Sequence, residues 1–97
     1  MTQIIAVIAN DALKRLESLP TEVGEAVERL RASLEVMPRA GRQVGGPLDE
    51  YGTEVYTIHL PGPYPELPGG VTVAYAFAPH PLPAAVVIRA VVPRLFG

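Results

Sequence analysis

Few side chains in this sequence have the chemistry to act on a substrate, and most fall in its second half. His59 lies in the alternating segment EVYTIHL, where an imidazole can give or take a proton near neutral pH. Arg89 is the only charge in AAVVIRAVV, and Arg94 follows that run after Pro93. Arg39 and Arg42 flank Gly41, and two guanidinium groups so placed can grip a phosphate. Read for chemistry, the set offers one group that can move a proton and several cations. Each member also has a plainer reading. His59 can be a half-exposed strand histidine, and His80, between Pro79 and Pro81, a loop residue without a role. Arg39 and Arg42 can be solvated loop, Arg94 idle near a terminus, and Tyr75 core. For Arg89 two arrangements stand open, because an unpaired buried charge is very costly. Either it pairs with a carboxylate such as Glu54, or its head reaches an open face.

Other chemistries are excluded by what the sequence lacks. Without cysteine there is no disulfide framework, no thiolate zinc site and no thiol nucleophile. Two histidines 21 positions apart do not make a metal site, so neither metal nor cofactor is expected. The only serines, Ser18 and Ser33, lie in helical segments remote from either histidine, which disfavours a hydrolase triad. Gly45-Gly46-Pro47 lacks the Gly-Lys-Ser/Thr ending of a phosphate loop. The 97 residues suit one domain, residues 1–97, and 48% hydrophobic content with net charge -2 describes a folded chain. A pI near 5.6 weighs against a bare nucleic-acid binder. No run approaches the roughly 20 apolar residues of a membrane span, and MTQIIAVIAND has no basic leader. The expectation is a cytoplasmic protein without a membrane partner.

The elements that position these groups follow from periodicity. Thr2–Ala9, with Ile4, Ile5, Val7 and Ile8, reads as a strand buried on both faces. Asn10 or Asp11 offers an N-cap for a helix through Ser18, with Leu13 and Leu16 on one face. Pro20 suits the first turn of a second helix. There Val23, Val27, Leu30, Leu34 and Met37, spaced 4, 3, 4, 3, form one stripe. Glu22 and Glu25 suit its first turn, and Glu25–Arg29 and Arg31–Glu35 are pairs on its wet face. Pro38 ends it, and Pro38–Thr53 reads as a loop. Glu54–Leu60 and Val71–Ala78 alternate as half-buried strands, and Ala84–Val92 reads as a central strand covered on both faces. The predicted order is β-α-α-β-β-β, an α+β fold of two layers. A helical hairpin covers one face of a mainly antiparallel four-stranded sheet, with the first strand parallel to a meander strand. The other face is where function is to be sought.

In this order and spacing the chain resembles the RelE/ParE superfamily of bacterial toxins. The resemblance rests on ALKRL (Ala12–Leu16), on Leu19–Val23 opening the second helix, and on MPRAGRQVGGPL (Met37–Leu48) before VYTIHL. Val73 and Tyr75 in one strand and VVPR (Val91–Arg94) at the end of the last complete it. It implies the toxin of a type II toxin–antitoxin module. RelE-like members cleave mRNA at the ribosome without a metal, and ParE-like members inhibit DNA gyrase. Two positions that are typically basic in the family fall at Thr57 and His59, and a third, usually arginine, falls at Thr72. Arg94 coincides with the family's C-terminal basic position. A glutamate used by some members falls at Gly46, and the C-terminal catalytic tyrosine or histidine has no equivalent.

The site expected on this basis is His59, Arg89 and Arg94 as catalytic groups, with Arg39, Arg42, Thr57 and Thr72 along the RNA. Its partners are a cognate antitoxin, the ribosome and mRNA, or DNA gyrase for a non-catalytic member that acts by protein binding. A structural or regulatory interaction domain is the remaining alternative. The hydrophobic last strand and the Leu95-Phe96 tail suit an antitoxin segment, with a homodimer through the same patch competing.

Overall fold

A computed structural model describes residues 3–94. Thr2 of the first predicted strand and the Leu95-Phe96 tail lie outside the described residues. The elements run β1 (Ile4–Ile8), α1 (Asn10–Glu17), α2 (Thr21–Leu34), β2 (Arg42–Gly45), β3 (Glu54–Leu60), β4 (Val71–Ala78) and β5 (Ala84–Pro93). They form an α+β fold with a mixed five-stranded sheet in the order β1-β5-β4-β3-β2. β1 runs parallel to β5, and every other pairing is antiparallel. No helix of the described residues is long and apolar enough to cross a membrane.

The fifth strand corrects the predicted four. Arg42–Gly45, read as loop, pairs with β3 through Arg42↔Thr57, Gln43↔Tyr56 and Gly45↔Val55, slipping register at Val44. Gly41 makes this approach sterically open: a Cβ there would stand 2.7 Å from the Thr57 carbonyl oxygen. Such glycines mark close backbone contact as often as flexibility.

Helix α2 buries Val23, Val27, Leu30 and Leu34 against the sheet, each worth about 1.5–3 kcal/mol of transfer free energy when fully buried. The stripe stops there. The backbone N–H groups of Glu35 and Val36 reach the carbonyls of Ala32 and Ser33, tightening the last turn. Met37, predicted on the stripe, is consequently 62% exposed. At the start of α1 the N-cap is Ala9 with no side-chain cap, rather than Asn10 or Asp11. Among the described residues Arg31 bridges both Glu28 and Glu35, while the expected Glu25–Arg29 pair is absent.

The core lies between the helices and one sheet face. It takes Val71, Val73, Tyr75 and Phe77 from β4 and Ala84, Val86, Ile88 and Val91 from β5. Ile88 and Val91 share this face despite their odd separation because a register shift opposite Ala74/Tyr75 inserts Arg89 into β5. The opposite face has no covering layer among the described residues. Neither β1 nor β5 is therefore buried on both faces: Ile5, Val7 and Val92 are exposed. β1 is an edge strand, and hydrophobic composition alone misplaced it.

Candidate functional site

Alternation and register fix what the open face carries. Residues directly opposite in a ladder share a face. One row across the sheet is therefore Arg42, Thr57, Ala74 and Ala90, and the next is His59, Thr72 and Val92. Arg94 continues the β5 alternation past Val92, its N–H donating to the Gly70 carbonyl at 2.9 Å. Arg89 sits beside Ala90 at the bulge, in a notch it shares with Asp11 and Arg15 of α1. His59, Arg42, Arg89 and Arg94 are exposed, and Thr57 and Thr72 are half-buried.

Five of the seven predicted site residues, Arg42, Thr57, His59, Thr72 and Arg94, thus fall at one end of one sheet face, and Arg89 lies at the β5 bulge without a ladder partner. With strands about 4.8 Å apart, His59 stands about 10 Å across the sheet from Val92. No strand residue of this face is acidic. Its other half is apolar: Ile5 and Val7 stand beside Ala85 and Val87, followed by Ala76, Ala78 and Val55.

Arg39 lies elsewhere. Its guanidinium donates from Nε to Glu54 Oε1 at 2.8 Å and stands 4.9 Å from the centroid of Phe77, a ring of the helix-side core. The Tyr56 hydroxyl also donates to Glu54 Oε1, at 2.7 Å. The Arg39 hydrogen bond, then that of Tyr56, holds the Glu54 carboxyl below the usual carboxylate range. Burial, followed by the hydrogen bond to Glu54 and then its charge, pushes the Tyr56 phenol up. Glu54 is accordingly not the partner of Arg89, whose side chain is exposed and makes no ion pair among the described residues. Of the two arrangements open for Arg89, solvent exposure holds.

Tyr75 is fully buried, stacked on Tyr56 with centroids 5.3 Å apart. Its hydroxyl accepts from the Gly41 N–H at 3.0 Å and donates to the Pro38 carbonyl at 2.9 Å. Burial raises its pKa, with the Gly41 hydrogen bond opposing. Both tyrosines serve packing and loop anchorage rather than proton transfer. Their strand alternation signals this, because Glu54 and Tyr56, two apart, share the helix-side face. At the far end of the β2–β3 connection, Asp49 accepts from the Thr53 hydroxyl and from the backbone N–H groups of Thr53 and Tyr51. Those bonds, the Thr53 hydroxyl first, hold its pKa low.

His80, between its prolines, lines a shallow notch with Tyr51 and Leu82, remote from the cationic end. No group of three or more His, Cys, Asp or Glu residues that could hold a metal occurs among the described residues. Compared with known proteins, the chain matches no family model, no curated protein and no solved structure.

Proposed function

We propose that the protein is the toxin of a toxin–antitoxin module and acts on mRNA at the ribosome in the manner of RelE-like chains. Its RNA site is the cationic end of the open sheet face. The observation that carries this reading is the register, which puts Arg42, Thr57, His59 and Thr72 on one face, with Arg94 next in the β5 alternation, Arg89 at the bulge and no strand carboxylate on that face among the described residues. The β-α-α order and the uncovered sheet face also support membership of the RelE/ParE superfamily.

In this mechanism Arg42, Thr57 and Thr72 hold the phosphate backbone. His59 removes the proton of a ribose 2′-OH, and the 2′ oxygen attacks the adjacent phosphorus. Arg89 and Arg94 stabilise the charge that develops on the phosphoryl oxygens. The bond to the next nucleotide's 5′ oxygen breaks, leaving a 2′,3′-cyclic phosphate. His59 returns the proton to that leaving oxygen, as the one strand residue of this face among those described that can carry a proton back. Arg39, occupied by Glu54, takes no part.

Primer extension on a translated mRNA tests the reading. Wild type should cut within codons, and a His59→Ala, Arg94→Ala double variant should lose at least 100-fold in rate. Equal cleavage by both would sink it. The apolar half of the face favours a second reading, a non-catalytic member that binds protein, DNA gyrase being the precedent of the resemblance. Inhibition of gyrase supercoiling at micromolar concentration, without mRNA cleavage, would select that alternative.

A further inference from the structure

On the side of the molecule away from the open sheet face, α1 and α2 leave an apolar groove between them. Leu13 and Leu16 from α1 and Leu19 from the connection form its floor, and Leu13 is 44% exposed. Opposite them stands Gly24, on the stripe of α2 adjacent to the core-facing one. Nothing lies within 4 Å of where its Cβ would be. A glycine inside a helix costs about 1 kcal/mol against alanine, and no steric demand among the described residues explains it. Its effect is to open the groove to close approach.

The rim is charged with one sign. Glu17, Glu25 and Glu28 line it, and no basic side chain does. Glu28 is bridged to Arg31 at 2.8 Å, whereas Glu17 and Glu25 have no ion-pair partner among the described residues. A polypeptide lying here meets two helices whose backbone groups are already bonded internally. An extended strand would find no ladder to join, so the occupant must satisfy its own backbone, as a helix does.

We infer that this groove docks an amphipathic, positively charged helix of another protein, with leucine-type side chains over Gly24 and Lys or Arg against Glu17 and Glu25. The inference stands apart from the reading of the sheet face, which lies on the opposite side.

A 14-residue Leu/Lys peptide with leucines at helical spacing is the probe, titrated against the full chain by fluorescence anisotropy. Wild type should bind it at micromolar concentration, more weakly in 0.5 M salt, and should ignore the Leu/Glu counterpart. Gly24→Leu fills the groove where space is free and improves helix propensity, so it should melt no lower than wild type and bind at least tenfold more weakly. Glu17→Lys with Glu25→Lys should weaken binding as much. Amide shift changes should map to Leu13, Leu16 and Gly24. Absence of binding by wild type, equal affinity in Gly24→Leu, or shifts confined to the sheet strands would each overturn the inference.

Discussion

Tyr75 ties a loop to the sheet through one hydroxyl. Its oxygen both accepts from Gly41 and donates to Pro38, fixing the entry to β2. Tyr75→Phe keeps the ring and its stack on Tyr56 while leaving a part-buried N–H and carbonyl without their partner. The expected loss is about 1–3 kcal/mol, read as a lowered midpoint in urea denaturation. An unchanged midpoint would mean water replaces the hydroxyl. Glu54 offers a pH test at the same margin. Its folded pKa lies below the unfolded value, so its contribution is present above about pH 4.3 and is lost as pH falls through the folded value. Glu54→Gln should therefore cost stability at pH 6 and progressively less toward pH 3. A gap between variant and wild type that stays constant over that range would remove Glu54 as the titrating group. Residue identity made the site candidates legible in the sequence. It did not reveal that Arg39 is taken by Glu54, because the two are fifteen positions apart and their meeting depends on the path of β2 and the connections on either side of it.

At the scale of elements, alternation gave β3 and β4 their bounds and faces, since a half-buried strand writes a period of two into its sequence. β2 left no such trace: four residues with an arginine, a glutamine and a glycine look like loop, and only pairing with β3 makes them a strand. The edge position of β1 was equally hidden, because Ile-Ile-Ala-Val-Ile reads the same at a sheet's centre or rim. What guards that edge came from another element. Arg31 of α2 donates to the outward carbonyl of Ala6 at 3.0 Å and is held there by Glu28 and Glu35. An uncharged edge strand is a template for pairing with another chain, and a guanidinium on its carbonyl blocks that. Arg31→Ala should leave the fold intact and raise self-association, seen as a concentration-dependent rise in sedimentation coefficient over 10–200 µM. A variant that stays monomeric would show that the edge is protected by something other than Arg31.

Whole-molecule charge does not describe how charge is distributed over this fold. Net charge -2 argues against nucleic acid only if it is spread evenly, and it is not. Between Asn10 and Met37 the helical layer carries six acidic residues against four basic ones, which accounts for the entire excess. The remainder of the chain is balanced, with Arg39 paired to Glu54 and Asp49, Glu50 and Glu66 in connecting segments. Arg42 and Arg94 are left on the open sheet face and Arg89 at the β5 bulge, all three exposed and without an ion pair among the described residues. A single-stranded RNA on that face should therefore bind with the salt dependence of about three phosphate contacts. The slope of log K against log salt is then about -2, at roughly -0.7 per contact. Each single substitution, Arg42→Ala, Arg89→Ala or Arg94→Ala, should flatten it by about 0.7. Charge reversal at Glu17 and Glu25, on the helical side, should leave the slope unaltered while changing net charge by four. Anisotropy of a labelled 12-mer over 50–300 mM salt measures this. If slope followed net charge instead of the three arginines, RNA would be responding to the protein's overall field rather than to a built face. The register argument for the site would then fail with it.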